Sequence, residues 1–75
     1  MTNLSEIPVG TRAQVVAVGG ERAFRRRLME MGLLPGTEIR VIRHTRVGGL
    51  VQLEVRGCNL SLRHSEAAAL MLQPN

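Results

Sequence analysis

Residues 21–36 read ERAFRRRLMEMGLLPG and contain the clearest helical pattern of the chain. Phe24, Leu28 and Met31 follow the i, i+4, i+7 spacing that places apolar side chains on one face of a helix. The arginines between them point elsewhere, because consecutive residues step by about 100° around a helix axis. We therefore predict a helix over residues 21–31.

The glycines and the proline that follow this helix predict its end and the turn after it. Gly32 is suited to the left-handed position that terminates a helix, and Pro35 prevents the helix from resuming. The dipeptide Pro35-Gly36 is a typical turn sequence. We expect Leu33 or Leu34 to fold back against the last helical turn.

Strand-like patterns flank the helix on both sides. Val51, Leu53 and Val55 alternate with polar residues, and Gly48-Gly49 before them predicts a hairpin. Similar runs are predicted as strands over residues 11–18, 37–45, 59–63 and 69–73.

Three local features complete this prediction of secondary structure. In the run 37–45, Ile39 and Val41 share one face, and His44 is expected on the opposite face together with the polar residues. Gly57 predicts a second tight turn. Residues 65–68 predict a single helical turn with Ser65 as its N-cap.

Short strands joined by tight glycine turns predict a chain that is mainly β with one α-helix. The arrangement is a small antiparallel barrel or curled sheet with the helix inserted after the first strand. The 75 residues, of which 44% are hydrophobic and 21% charged, predict a single globular domain over residues 1–75. A chain this short leaves little room for an enclosed active site.

Charge and cysteine content narrow the class of protein further. The net charge of +4 rests on ten arginines, since the sequence contains no lysine, and arginine suits phosphate, carboxylate and protein interfaces. A single cysteine predicts no internal disulfide, and a reducing cytosol is the expected compartment. The sequence shows neither a signal peptide nor an apolar run long enough to span a membrane.

Residues 25–39, RRRLMEMGLLPGTEI, closely resemble the signature segment of the FeoA family, the small cytosolic component of bacterial ferrous iron transport. The segments LSEIPVG at 4–10, EVRG at 54–57 and LSLR at 60–63 also fit, so the resemblance covers essentially the whole chain. It implies an SH3-like β-barrel with an inserted helix. It also implies a regulatory role at the cytoplasmic face of the membrane, through binding to FeoB, a permease with a GTPase domain.

A partner-binding face is predicted on the helix and the turn that follows it. The arginine run is either a solvated face or a patch that docks on an acidic surface of FeoB or on anionic lipid. Methionine beside it is suited to an adaptable apolar contact. The predicted contact residues are Arg25, Arg26, Met29, Glu30 and Leu33, presented by the turn residues Gly32, Pro35 and Gly36.

A metal centre would have to come from His44, Cys58, His64 and Glu66. No pair of them has the CxxC or HxxxH spacing that makes zinc sites strong predictions. We expect no required cofactor and, at most, weak binding of a transition metal such as iron(II) or zinc. Convergence of these ligands across a homodimer stays open.

Catalysis has little support in the sequence. A phosphate-binding P-loop is excluded because the chain has no lysine, and no nucleophile lies beside a base in a known motif. We therefore predict a protein that is not an enzyme. The alternatives are a metal-responsive adaptor and a small nucleic-acid-binding barrel, although aromatic stacking platforms are missing and no nucleic-acid partner is expected.

Overall fold

The computed structural model of the protein describes residues 2–45 and 48–75. Within these residues the strands form one antiparallel sheet in the order β1-β6-β2-β3-β4-β5. The elements are β1 (Thr2–Asn3), a 3-10 helix (Leu4–Glu6), β2 (Arg12–Val18), α1 (Arg22–Glu30), β3 (Glu38–Thr45), β4 (Leu50–Val55), β5 (Cys58–Arg63), α2 (His64–Ala68) and β6 (Leu70–Pro74).

The predicted class, mainly β with an inserted α-helix, is confirmed by this order of elements, and α1 follows β2, the strand that was predicted as the first of the chain. The sheet is curled but open, because β1 and β5 form its two edges and are not paired with each other in the described residues. The two-residue strand β1 and the 3-10 helix were not predicted. Segments this short carry no recognisable periodicity, although Leu4 is completely buried.

One hydrophobic core lies against the concave side of the sheet. The inward residues Val51, Leu53 and Val55 are at most 3% exposed, as their alternation predicts. Leu28 of α1 is fully buried in the same core, and Phe24 and Met31 pack against it with partial exposure. The helix therefore covers the core with the stripe predicted from its spacing.

The strand β3 contains a register shift between Val41 and Arg43, so Ile42 is the extra residue of a β-bulge. Beyond the bulge His44 is the cross-strand partner of Val51, which is fully buried. The prediction that His44 lies opposite the apolar face is therefore wrong. Its half-buried ring lies at the end of the core, with Nε2 2.7 Å from the carbonyl oxygen of Ile7.

The end of α1 is a Schellman motif. The N–H of Gly32 donates to the carbonyl of Met29, and the N–H of Leu33 donates to the carbonyl of Leu28. Gly32 has φ +100°, which confirms the predicted left-handed glycine. In this motif the residue after the glycine turns back onto the helix, and Leu33 is accordingly fully buried.

The chain then reverses in a tight turn in which Thr37 N–H donates to the carbonyl of Leu34 at 3.0 Å. Pro35 and Gly36 occupy the two central positions, and Gly36 has φ +93°, as a type II turn requires. The N–H of Gly36 also donates to the carbonyl of Val15 in β2. The predicted turn residues therefore join α1 to the sheet.

The short helix α2 begins one residue earlier than predicted. Its N-cap is Arg63, and Ser65 lies inside the helix, so the assignment of Ser65 as the cap is wrong. The capping interaction comes instead from Glu66, whose carboxylate accepts the backbone N–H of Arg63 at 2.9 Å. A glutamate at this position can satisfy a backbone donor that the cap side chain leaves free.

Two tight turns complete the meander from β3 to β5. Gly48 and Gly49 both have positive φ, as the predicted hairpin requires, whereas Arg46 and Val47 lie outside the described residues. The turn between β4 and β5 consists of Arg56, at φ +51°, and Gly57, at φ +79°. Two positive φ values in a two-residue loop correspond to a type I′ turn.

Candidate functional site

The exposed face of α1 carries a shallow depression lined by Arg22, Arg25, Arg26, Met29 and Glu30. The helix brings these side chains together because the positions i, i+3, i+4, i+7 and i+8 lie on one side of its axis. Four of the five residues that were predicted to bind a partner are therefore neighbours. Met29, which packs partly against the core, is the apolar member of this surface.

Arg22 completes the α1 face and was missed in the prediction. Its spacing of three, four and seven residues from Arg25, Arg26 and Met29 is a signal that the sequence does contain. Neither Arg22 nor Arg25 forms an ion pair with any of the described residues, whereas Arg26 Nε lies 3.2 Å from Glu30 Oε1. The α1 face therefore has an excess of positive charge.

The side chain of Arg27 lies outside this face and points toward α2. Its guanidinium is bonded to the carboxylate of Glu66, and it lies over the ring of Phe24 with 6.0 Å to the centroid. The side chain of Glu66 is 12% exposed and that of Arg27 is 63% exposed. The three consecutive arginines thus divide into a structural one and two that face solvent.

Leu33 cannot contribute to an exposed contact surface because its side chain is 0% exposed. Its prediction as a partner-binding residue is corrected for this reason. The next residue, Leu34, is 40% exposed, and Pro35 beside it is also exposed. Leu34 is therefore the exposed leucine of this turn, whereas the prediction assigned that role to Leu33.

The four candidate metal ligands do not converge within the chain. Cys58 begins β5 and His64 directly follows its last residue, which a rise of about 3.3 Å per residue places roughly 20 Å apart. Glu66 is engaged by Arg27 and Arg63, and His44 is held by the carbonyl of Ile7. Among residues 2–45 and 48–75, no three His, Cys, Asp or Glu side chains are grouped to hold a metal ion.

Comparison with known proteins agrees with this fold. The model of the FeoA domain family matches residues 2–74. The chain belongs to the FeoA domain family. The resemblance carried by residues 25–39 and its flanking segments is thereby confirmed, and it extends over nearly the full length of this FeoA domain.

Two solved FeoA proteins show the same architecture. The Chlorobium tepidum FeoA protein is 36% identical with a TM-score of 0.88, over 97% of this FeoA domain and 70% of that chain. The Stenotrophomonas maltophilia FeoA, solved in complex with zinc and described as an SH3 domain protein, is 34% identical with a TM-score of 0.82. That match covers 97% of this chain and 91% of the other. The predicted SH3-like class is confirmed by this likeness.

A curated relative places an FeoA domain within a much larger chain. The Fe(2+) transport protein A/Fe(2+) transporter FeoB fusion protein of Porphyromonas gingivalis is 34% identical over 70 residues. The match covers 93% of this FeoA domain and 8% of the fusion protein. In addition, the described parts of this FeoA domain contain no helix with the length and apolar character needed to cross a membrane.

Proposed function

We propose that the protein is an accessory protein of bacterial ferrous iron uptake that binds the cytoplasmic region of a FeoB-type permease and regulates transport. The observation that carries this proposal is the Porphyromonas gingivalis fusion, in which the two proteins form one chain. A covalent link holds two domains at a high effective concentration and makes weak contacts productive. Where the two are separate chains, a docking surface has to replace that link.

The α1 face supports the proposal as the docking surface. Arg22 and Arg25 leave its charge uncompensated, and this favours an acidic surface on the permease. The pair formed by Arg26 and Glu30 keeps a carboxylate on the same face, where it can receive a basic group. Such charges set the orientation and the association rate of a complex more than its affinity.

The turn after α1 would supply the apolar part of the contact. Leu34 is 40% exposed, and Pro35 holds it in a turn whose backbone bonds anchor it to β2. A rigid apolar side chain next to charged groups is a frequent arrangement at protein interfaces. Binding at this surface would couple α1 to the permease without any chemical reaction on this chain.

The role proposed here is regulatory and not enzymatic. GTP chemistry would belong to the permease, because this chain has no lysine and therefore no P-loop. The proposed place of action is the cytoplasmic face of the membrane, where the GTPase domain of such a permease lies. A homodimer that leaves the α1 face exposed would be compatible with this role.

A metal-responsive adaptor is the second candidate, favoured by the zinc complex of the Stenotrophomonas maltophilia relative. The dispersed positions of His44, Cys58 and His64 favour it less, because at least three ligands are usual in a protein metal site. A zinc titration of the wild type and of His64→Ala distinguishes a metal-responsive adaptor from an accessory protein that needs no metal. Stoichiometric binding that is lost in His64→Ala would support the adaptor.

Calorimetry with FeoB tests the proposed function directly. The protein is titrated into the cytoplasmic domain of FeoB and into full-length FeoB in nanodiscs, across a salt series, with and without iron(II). Saturable binding is expected that weakens with salt, because exposed charges contribute. Absence of heat with both forms of FeoB under every condition would refute the proposal.

A further inference from the structure

A second group of arginines lies on the outer face of the sheet and shares no residue with the α1 face. Arg12 begins β2, Arg40 lies in β3, and Arg56 occupies the turn between β4 and β5. The three line one small depression of about 170 Å³ together with Glu38, Ile39 and Glu54. Three separate segments of the chain thus contribute a guanidinium to the same place.

The pairing of the strands puts two of these positive charges side by side. Arg12 and Arg40 are direct cross-strand partners, an arrangement that is destabilising when the charges are alike. Arg40 is partly compensated by Glu54, with 3.6 Å between Nη2 and Oε1. Within residues 2–45 and 48–75, Arg12 and Arg56 have no ion-pair partner. The depression therefore holds more positive charge than its carboxylates balance.

Glu38 is the second carboxylate of the depression, and it forms no ion pair with the described residues. One of its carboxylate oxygens accepts a hydrogen bond from the side-chain amide of Asn75 at 3.0 Å. The three arginines and two glutamates that line the depression sum to a net charge of +1. The excess positive charge lies on guanidinium groups. A guanidinium can donate two parallel hydrogen bonds to the oxygens of an oxyanion.

Arg40 also carries a donor that is unused. Its Nε is buried and has no hydrogen-bond acceptor among the described residues, although its side chain as a whole is 43% exposed. A buried donor without an acceptor is unfavourable, and native structures rarely retain one without a reason. An anion with several acceptor oxygens, bound beside Arg40, would supply this acceptor once the half-exposed guanidinium turns toward it.

The third arginine is held in a strained conformation. Arg56 has φ +51°, and it is the one residue other than glycine with positive φ in the described chain. The first position of a type I′ turn favours Gly, which has no Cβ, or Asn and Asp, whose side chains can hydrogen-bond locally, because a Cβ is disfavoured at positive φ. Strain of this kind is concentrated at binding and catalytic sites.

The size of the depression limits the ligand to one small group. A volume of about 170 Å³ is well below the roughly 300–1,000 Å³ typical of pockets for whole small molecules. We propose that Arg12, Arg40 and Arg56 bind a single phosphate group, carried either by free phosphate or by a lipid headgroup such as phosphatidic acid. This site is independent of the proposed contact with FeoB.

Titration with inorganic phosphate at constant ionic strength tests the site, followed by the Nε–H NMR signals of the arginines, with chloride as the reference ion. Saturable shifts are expected at Arg12, Arg40 and Arg56. Arg12→Gln and Arg56→Gly should each weaken binding at least tenfold. Arg43→Gln, which removes an exposed arginine of β3 outside the depression, should leave the affinity unchanged.

Cosedimentation with vesicles separates the two sources of the phosphate group. Binding to phosphatidic acid vesicles but not to phosphatidylcholine vesicles, and lost in Arg12→Gln, would assign the site to a lipid headgroup. Binding of free phosphate alone would assign it to a soluble ligand. Arg56→Gly is expected to fold normally, so a loss of binding in this variant cannot be attributed to unfolding.

Three results would overturn the proposal. The first is that neither phosphate nor phosphatidic acid vesicles bind. The second is that phosphate shifts the arginines of α1 as much as those of the depression, which would indicate nonspecific ion association. The third is that both Arg12→Gln and Arg56→Gly bind phosphate as tightly as the wild type.

Discussion

The guanidinium of Arg27 is bonded to the carboxylate of Glu66, and this contact joins α1 to α2 across 39 positions of sequence. The same carboxylate accepts the backbone N–H of Arg63 and caps α2. Glu66 is the one charged residue that is buried among the described residues. One side chain therefore fixes the beginning of α2 and its position relative to α1.

Replacement of Glu66 by Ala is expected to destabilise the fold more than replacement of Arg27 by Ala. Glu66→Ala removes the cap and the ion pair together, at a cost of about 1.5–3 kcal/mol for hydrogen bonds to a charged group. Arg27 is mostly exposed, so its coupling to Glu66 should be only about 0.2–1 kcal/mol. Urea unfolding of both single variants and the double variant measures the coupling. Glu30→Ala, in an exposed pair, is the control, and an equal loss in Glu30→Ala and Glu66→Ala would contradict this assignment.

Substitution of Gly32 should destabilise the protein through backbone strain and not through a steric clash. A Cβ added at Gly32 would lie 3.7 Å from Val55 Cγ1, an ordinary contact, while φ +100° disfavours any L side chain. We expect Gly32→Ala to cost about 1–2 kcal/mol and Gly32→Val to cost more, because valine is β-branched. Gly36→Ala, at φ +93° with open space around it, should cost a similar amount to Gly32→Ala. An unchanged melting temperature in Gly32→Val would remove the argument.

Arg56→Gly is expected to stabilise the fold. Glycine adopts φ +51° without strain, which is worth about 1–2 kcal/mol, although part of the gain is lost to the greater entropy of glycine in the unfolded chain. The net effect should be about 0.5–1 kcal/mol in chemical denaturation. Arg56→Ala is the control, because it removes the guanidinium while the strain remains. Greater stability in Arg56→Ala than in Arg56→Gly would show that strain is not the cause.

Truncation of the two adjacent leucines after α1 should affect different properties: stability at Leu33 and FeoB binding at Leu34. Leu33→Ala is expected to cost about 2–5 kcal/mol, because it leaves a cavity in the core. Leu34→Ala should change stability by less than about 0.5 kcal/mol, as is usual for an exposed position, and should weaken FeoB binding. Thermal melts and calorimetry are run on the same preparations. Wild-type affinity in Leu34→Ala would place the turn outside the interface.

Charge reversal on α1 should weaken FeoB binding and leave the fold intact. Arg25 is exposed and has no ion-pair partner in the described residues, so Arg25→Glu removes one positive charge and adds a negative one at little structural cost. We expect a loss of affinity of about tenfold, mainly in the association rate. Arg43→Glu makes the same change of charge on β3, and equal losses in both variants would indicate a general effect of net charge.

Much of the fold can be predicted from the sequence because its signals are local. The alternation at Val51, Leu53 and Val55 and the stripe of α1 predict which residues enter the core. The glycines at 32 and 36 predict the turn that joins α1 to β3, since few other residues tolerate positive φ. These patterns act over a few residues, and the backbone energy that they express does not depend on the remainder of the chain.

The residues of the candidate site were predicted less completely, because a shift of one residue along the chain changes which side chains are exposed. Four residues of the α1 face follow from helical spacing alone. Leu34 is exposed and Leu33 is buried because the Schellman motif turns the residue after Gly32 back onto α1. The face of the sheet on which His44 lies depends on the bulge at Ile42, because the bulge reverses the side-chain alternation from that point onward.

The amino-acid sequence by itself determined α1, the longer strands, the glycine turns, the core stripe and the FeoA family. The tertiary structure decided which distant residues meet. Strand pairing placed Arg12 beside Arg40, and the contact between Arg27 and Glu66 linked the two helices. Local periodicity describes which face a side chain occupies, whereas contacts between distant residues depend on strand register and helix packing, which only the folded chain establishes.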